Sequence, residues 1–172
     1  MLYTHQFNIS DSSRQKLTSD ILQLYGLGGL CWDVPLFQTY PILFDRQENH
    51  WIDLKQEFLN AVHAIKKPSS FKCRSWAYIN IPGIKVSNHL LWHNHNVVVH
   101  KEFPQVISGI FYLSLPEHSN TTEYLINNQI KKIPPIIDAW ALLPGYIDHR
   151  PGYWDHARAV HPRISVVADY YF

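Results

Sequence analysis

Apolar residues in the first third of the chain recur at the spacing of amphipathic helices. In residues 52–66 they fall three or four positions apart, which places them along one side of a helix. These residues are Leu54, Phe58, Val62 and Ile65. Residues 10–25 have a similar spacing, with Ser10 or Asp11 available to cap the first turn and Gly26 after the last. The pattern therefore predicts two helices that each bury one face.

From residue 71 onward, apolar and polar positions alternate over short stretches, as is typical of β-strands. The predicted strands span residues 71–81, 86–99, 106–115, 123–126, 139–143 and 163–172, with a short strand or arm at 1–9. Residues 127–135 are predicted to form a polar loop. Many short strands after two helices predict a mainly β fold, a sandwich or barrel with flanking helices. We expect one domain of 172 residues, with residues 1–70 as a helical buttress and residues 71–172 as the β core.

Composition and charge argue against several functions. The formal net charge of +1 gives no electrostatic reason to expect a nucleic acid or an anionic membrane as a partner. No apolar run approaches the roughly 20 residues that span a bilayer, and the first residues lack the pattern of a signal peptide. Cys31 and Cys73 form no CxxC pair, so we expect two reduced thiols. These features predict a cytoplasmic protein whose partner is a small-molecule or peptide substrate.

Four histidines lie within twelve residues, from His89 to His100. Two of them, His93 and His95, are two positions apart, so in a strand both imidazoles point to the same face. Neutral imidazole is the commonest metal ligand and suits iron, zinc and copper. This segment therefore predicts a metal site, for which the chain must supply at least one more ligand.

A second segment ends in a histidine. The strand and turn at residues 143–145 are followed by His149, and a later strand begins with Arg163 and Ser165. Three protein ligands on one face of a metal leave the other face open, as in non-haem iron oxygenases, which usually combine two His and one carboxylate. An arginine fixed on a strand can hold a carboxylate through two hydrogen bonds. These residues suit a dicarboxylate that chelates the metal at one end and pairs with Arg163 at the other.

These segments, in this order, resemble the 2-oxoglutarate/Fe(II)-dependent oxygenases, and most closely their small prolyl-hydroxylase-like and phage-type members. The matching segments are Trp76 to Asn80, the histidine-rich strand, Ser108-Gly109-Ile110-Phe111-Tyr112-Leu113, Leu143-Pro144-Gly145 with His149, and Arg163-Ile164-Ser165. The resemblance covers residues 71–172. It implies a double-stranded β-helix (jelly-roll, cupin-like) core with helices against one sheet. It also implies a dioxygenase that uses Fe(II) and 2-oxoglutarate in a hydroxylase-type oxidation of an unassigned substrate.

The resemblance also implies residue roles. His93 is the expected first metal ligand and His149 the distal one. Arg163 is expected to bind the 5-carboxylate of 2-oxoglutarate, with Ser165 or Tyr112 assisting.

One position departs from the family pattern, because His95 stands where Asp or Glu usually provides the second ligand. A third imidazole still binds iron, as in some cupin dioxygenases, but it brings no negative charge. The departure leaves open another metal or a vacant ligand position of the halogenase kind. Other residues are also open as ligands: Glu102, Asp148 or Asp155 as the carboxylate, and His156 or His161 in place of His149.

Two tryptophans flank the predicted site. Trp92 directly precedes His93, and Trp154 follows His149 in the next loop. We expect both indole rings to line a substrate pocket, because such pockets are largely apolar and aromatic.

Two other functions remain open. The first is a three-His cupin-like metalloprotein that does not use 2-oxoglutarate, in which Arg163 would be a strand arginine paired with Asp169 or Glu102. The second is a non-catalytic jelly-roll binding protein without a stoichiometric metal. Fold alone does not separate these functions, so the geometry and chemistry of the site must distinguish them.

Overall fold

The computed structural model describes residues 2–26, 38–83, 92–95, 102–117, 119–153 and 155–172. Its helices are α1 (Asp11–Gly26) and α2 (Asn49–His63), with a short 3-10 helix at Leu43–Asp45 between them. Its strands are β1 (Tyr3–Gln6), β2 (Lys72–Asn80), β3 (Val106–Ser114), β4 (Glu123–Ile126), β5 (Gln129–Lys132), β6 (Ala139–Pro144), β7 (His149–Arg150) and β8 (Arg163–Tyr171). The predicted mainly β fold with flanking helices is confirmed. The strand predicted over residues 86–99 lies outside the described residues except for 92–95.

Two antiparallel sheets contain these strands. The larger sheet has the order β1-β6-β3-β8-β2, and the smaller has the order β5-β4-β7. An antiparallel bridge between His93 and His149 adds one further pairing beyond β7. β8 pairs with β2 on one side and β3 on the other, and every one of its residues is buried. β8 is therefore a central strand of the larger sheet, and its side chains contact both layers of the fold.

The two faces of the larger sheet carry different side chains, because successive residues of a strand point in opposite directions. One face packs on the helices through a large apolar cluster that includes Leu17, Ile21, Trp51, Leu54, Phe58, Val62, Phe111, Trp140, Leu142, Val166, Ala168 and Tyr170. The other face packs toward the smaller sheet through Ile110, Tyr112, Tyr124, Ile133, Ala141 and Leu143. On that second face β8 carries polar residues, and a cavity lies beside them.

Both helices form near their predicted positions. In α1 the backbone N–H of Ser13 donates to Oγ of Ser10 at 3.1 Å, as expected of a capping serine. α2 begins and ends three residues before its predicted bounds, so Trp51 is buried and Ile65, which follows the helix, is 48% exposed. Ile65 was thus wrongly included in the buried stripe.

The predicted loop over residues 127–135 is wrong at Gln129–Lys132, which form β5. Asn127 and Asn128 both have positive φ, 52° and 59°, and they join β4 to β5 in a two-residue hairpin turn. Asparagine tolerates this left-handed conformation, and tight hairpins need it at both central positions. The Asn-Asn pair after the apolar end of β4 was therefore a turn signal that the low hydrophobicity of β5 concealed.

The sequence also led to predictions about the cysteines and about membrane-spanning segments. Cys73, on β2, is a free thiol, and Cys31 lies outside the described residues. Within the described ranges, neither helix has the length and apolar character needed to cross a membrane.

Gly109 sits where β3 passes directly beneath α2. A Cβ at this position would lie 2.6 Å from Cε2 of Phe58 and 3.0 Å from side-chain atoms of Leu142 and Trp140. We expect Gly109→Ala to lower the free energy of unfolding by about 1–3 kcal/mol, because the added methyl overpacks a closed core. Chemical denaturation of the purified variant measures this change.

The matched test adds Phe58→Leu, which removes the ring atom that the methyl would meet. The double variant should then lose less stability than the sum of the two single losses. Simple additivity would contradict the overpacking explanation.

Candidate metal centre and its cavity

Three imidazoles lie close together beside β7, at the edge of the smaller sheet. His93 and His149 exchange backbone hydrogen bonds of 3.0 and 2.8 Å across their bridge, which brings their rings to a centroid distance of 4.4 Å. The ring of His95 lies 4.9 Å from that of His149 and 5.7 Å from that of His93. One ring nitrogen from each residue lies within 4.8 Å of the others. Small side-chain rotations would allow one ion to contact all three nitrogens.

Hydrogen bonds on the far side of two rings indicate which nitrogens face the ion. Nδ1 of His149 lies 3.0 Å from the carbonyl oxygen of Ile147, so Nδ1 carries the proton and Nε2 keeps its lone pair. Nδ1 of His95 lies 2.5 Å from Oδ1 of Asp169, with the same consequence. Metal-binding histidines typically donate their other N–H to a carbonyl or a carboxylate in this way. The chemistry of this donor set therefore fits a transition-metal ion.

His149 is held in the neutral form that a metal requires. Burial lowers its pKa to about 4, and the neighbouring imidazoles of His95 and His93 also disfavour a positive charge there. A neutral imidazole is the metal-binding form. Near neutral pH, this ring has a lone pair available without first losing a proton.

Asp169 stands behind His95 and is completely buried. Its Oδ1 accepts hydrogen bonds from His95 and from the hydroxyl of Ser108 at 2.7 Å. Its Oδ2 accepts from Nε and Nη2 of Arg74 at 3.2 and 2.9 Å and from the hydroxyl of Tyr171 at 2.8 Å. Burial alone would raise the pKa of Asp169, but the hydrogen bonds from His95 and Ser108 and the charge of Arg74 hold it at about 2. The carboxylate is therefore ionised and fully hydrogen-bonded.

Asp169 was not recognised from the sequence as a neighbour of the site, although the sequence contains a signal for it. It is the one ionisable residue in the apolar run 164–171 apart from its tyrosines. A carboxylate buried in such a strand needs several hydrogen-bond donors. The register supplies them, because Asp169 is directly opposite Arg74 on β2 and Ser108 on β3.

The alternative ligands lie elsewhere. Among the described residues, the cluster that can hold a metal contains none of Glu102, Asp148, Asp155, His156 or His161. Asp148 accepts a hydrogen bond from Asn94 at 2.8 Å, and Glu102 lies 3.6 Å from Lys72. His161 lines a separate groove beside α1. The geometry therefore favours His149 as the partner of His93 and His95.

The three histidines line one wall of a cavity whose empty volume, including its mouth, is about 600 Å³. Its other lining residues are Trp76, Tyr78, Ile79, Asn80, Ile110, Thr122, Pro151, Arg163, Ser165 and Val167. The mixture of apolar walls and a few convergent polar groups is typical of small-molecule sites.

Arg163 is the charged residue of this cavity. It is 3% exposed, and its Nη1 donates to the carbonyl oxygen of Gly152 at 3.1 Å. Its Nε–H has no hydrogen-bond partner in the part of the chain that the structure describes. No carboxylate among the described residues lies within ion-pair distance of it. The alternative pairing with Asp169 or Glu102 is therefore wrong. A buried guanidinium that lacks a counter-ion is costly, and an anionic ligand in the cavity would relieve that cost.

The two residues expected to assist Arg163 differ in position. Ser165 lines the cavity, two residues further along the same face of β8. Tyr112 does not line it, because its hydroxyl accepts from the backbone N–H of Thr122 at 2.7 Å and donates to the Thr122 hydroxyl at 3.0 Å. The ring centroid of Tyr112 nevertheless lies 6.0 Å from the guanidinium carbon of Arg163, so Tyr112 stands beside Arg163 while Thr122 lines the cavity.

One of the two tryptophans expected in a substrate pocket lies elsewhere. Trp92 lies outside the cavity, where the guanidinium carbon of Arg150 sits 4.5 Å from its ring centroid. Trp154 lies outside the described residues. The indole that does line the cavity is that of Trp76, whose ring lies 5.7 Å from that of His95.

Known structures share this architecture. A prolyl-4-hydroxylase from Pseudomonas putida aligns with a TM-score of 0.65 and 11% identity, over 99% of this chain and 91% of that one. A viral collagen prolyl hydroxylase from Paramecium bursaria Chlorella virus-1, solved as a 2-oxoglutarate complex, gives 0.66 and 13%, over 99% and 94%. The non-haem α-ketoglutarate-dependent carbocyclase SnoK from nogalamycin biosynthesis gives 0.75 and 9%, over 99% and 79%.

The chain has the fold of 2-oxoglutarate-dependent oxygenases. The jelly-roll core predicted from the resemblance is thus confirmed. No protein-family model matches the sequence, and no curated protein matches it either. The likeness therefore lies in three-dimensional structure, at identities too low to transfer an activity.

The cluster makes a direct prediction for metal binding. Alanine at His93, His95 or His149 should weaken Co²⁺ binding by more than the roughly 10–100-fold that loss of a supporting residue costs, because each substitution removes a ligand. Titration of the visible Co²⁺ bands under anaerobic conditions measures the affinity.

His161→Ala is the matched control, because this exposed histidine was an alternative ligand and lies outside the cluster. It should bind Co²⁺ as the unmodified protein does. Equal losses from all four substitutions would contradict the assignment.

Proposed function

We propose that this protein is a non-haem Fe(II)/2-oxoglutarate-dependent oxygenase that hydroxylates a small-molecule or peptide substrate. His93, His95 and His149 would hold the metal, and Arg163 with Ser165 would hold the distal carboxylate of 2-oxoglutarate. The observation that carries the proposal is the buried guanidinium of Arg163, which has no carboxylate partner among the described residues, in the same cavity as three convergent imidazoles.

The two features together match a 2-oxo dicarboxylate. Its oxo-acid end offers two adjacent oxygens to a metal, and its other end offers a carboxylate to a guanidinium, which can bind it through two parallel hydrogen bonds. Nε–H of Arg163 has no hydrogen-bond partner among the described residues and is available to such a ligand, while Nη1 is anchored on Gly152. The fold shared with 2-oxoglutarate-dependent enzymes supports the same choice of cosubstrate.

Bound together, Fe(II) and 2-oxoglutarate supply oxidation of a C–H bond by O₂, with succinate and CO₂ as coproducts. The chain's own residues orient the groups and exclude water. Ile147 and Asp169 hold the rings of His149 and His95, so that both present Nε2. The apolar side chains of Ile110 and Val167 line the cavity and lower its effective dielectric constant, which strengthens the attraction between Arg163 and an anion.

Substitution of Arg163 tests the cosubstrate. We expect Arg163→Met to weaken 2-oxoglutarate binding about 30-fold or more, since losing one partner of a buried charge pair costs about 2–5 kcal/mol. Fe(II) binding should be retained, because Arg163 is not a ligand. An anaerobic Fe(II) titration with and without 2-oxoglutarate, followed by the visible charge-transfer band, separates the two affinities.

Arg158→Met is the control, because its side chain is 71% exposed and faces Asp155 rather than the cavity. It should leave both affinities unchanged. An unmodified protein that binds Fe(II) but not 2-oxoglutarate would favour the three-His cupin-like alternative. An unmodified protein that binds no metal would favour the non-catalytic alternative.

The same substitution has an opposite effect on the ligand-free protein. Arg163→Met should leave the melting temperature unchanged or raise it, because it removes a buried charge without a counter-ion and keeps apolar volume. Thermal unfolding in the absence of metal and 2-oxoglutarate measures this. A clear fall in melting temperature would indicate that the hydrogen bond from Arg163 to Gly152 outweighs the cost of its buried charge.

A further inference from the structure

We propose that Asp169 is a positioning residue of the metal site. It fixes His95 in the tautomer that presents Nε2 to the ion, and it places a negative charge one imidazole away from the ion. That charge stands in for the carboxylate that position 95 lacks. The inference rests on the proposed metal site and concerns a residue that takes no direct part in ligation.

The first observation is the contact itself. Asp169 Oδ1 lies 2.5 Å from Nδ1 of His95, and Ser108 lies 2.7 Å from both atoms. An ionised carboxylate only accepts hydrogen bonds, so Nδ1 of His95 must carry the proton. The lone pair then lies on Nε2. A carboxylate behind a histidine ligand also makes the ring a stronger electron donor.

The second observation is that the carboxylate cannot turn away. Arg74 and Tyr171 both donate to Oδ2, while the backbone of Asp169 is paired with β2 on one side and β3 on the other. Arg74 has only N–H donors, so the atom facing it must be an acceptor. One oxygen is thereby committed to Arg74 and the other to His95.

The third observation is that position 95 is a histidine and not an acidic residue. In the pattern that this chain resembles, an acidic residue there would be a ligand and would bring its charge directly to the metal. Here the imidazole of His95 occupies that position, and the nearest ionised carboxylate in contact with the cluster is that of Asp169. The positive charge of Arg74 is shared with this carboxylate, but its side chain is 34% exposed and so is partly screened by solvent.

Asp169→Asn separates a positioning role from a structural one. Arg74 should attract the new amide oxygen, which turns the amide NH₂ toward His95. Nδ1 of His95 must then accept, so its proton moves to Nε2, where it blocks the metal. We expect Co²⁺ affinity to fall 10–100-fold, the range for residues that orient a histidine ligand. Long-range ¹H–¹⁵N spectra of the metal-free protein should show His95 change from the Nδ1–H to the Nε2–H tautomer.

The rescue variant combines Asp169→Asn with Arg74→Leu. Without Arg74, the amide can donate to the hydroxyl oxygen of Tyr171 and turn its own oxygen back toward His95. The Nδ1–H tautomer should return, and part of the Co²⁺ affinity with it. The affinity still missing from the double variant measures the combined loss of the Asp169 and Arg74 charges.

Asp20→Asn is the matched control, because Asp20 forms a second His–Asp pair far from the cavity. Its Oδ2 lies 2.8 Å from Nε2 of His50 and 2.8 Å from the indole nitrogen of Trp51. The same chemical change there should cost some stability but leave Co²⁺ affinity and the His95 tautomer unchanged.

The outcomes are distinguishable. If Asp169→Asn keeps the Nδ1–H tautomer and Co²⁺ affinity within twofold, the role of Asp169 is overturned while the metal site stands. If that variant does not fold, the double variant decides: the Nδ1–H tautomer with measurable Co²⁺ binding supports the role, and the Nε2–H tautomer overturns it. An unmodified protein that binds no Co²⁺ overturns the proposed function together with this inference.

Discussion

The pairing of β8 with β2 on one side and β3 on the other is the constraint on which the site depends. The pairing with β2 holds its register along the whole strand, and the pairing with β3 shifts once, between Tyr112 and Ser114. The alternation of the strand then decides which residues face the helices and which face the cavity. Val166, Ala168 and Tyr170 close the apolar core, while Arg163, Ser165 and Asp169 face the other way. A slip of one residue would exchange these two sets, which would bury charge against α2 and leave the metal cluster without its buttress.

The two buried charges of β8 have opposite environments, although they lie on the same face of one strand. Asp169 receives hydrogen bonds from four side chains, those of Arg74, His95, Ser108 and Tyr171. Within the described ranges, Arg163 has one hydrogen bond, to the carbonyl of Gly152, and its Nε–H has no partner. These hydrogen bonds offset the cost of burying the negative charge of Asp169. Burying an unsaturated guanidinium costs free energy, and the proposed anionic ligand would offset that cost.

Local patterns predicted most of the fold. The bounds of β3, β4 and β8 follow from alternation and from Pro and Gly, which act within a few residues. The convergence of His93 and His149 was predicted only through the order of motifs, since no local rule places two distant segments side by side. Asp169 and Trp76 were not recognised, because their importance depends on what lies opposite in the sheet. The β5 hairpin failed for a different reason: its strand is polar on both faces, so it shows no alternation.

The bridge between His93 and His149 has a consequence for how the chain is held together. Their backbones already pair, so an ion shared by the two side chains would close a second link over the same gap. Such a link acts like a reversible cross-link between distant parts of the polypeptide, and it restricts the unfolded ensemble much as a disulfide does. Metal binding would then slow amide hydrogen exchange at His93 and His149. The occupancy of the site would therefore affect backbone dynamics as well as chemistry.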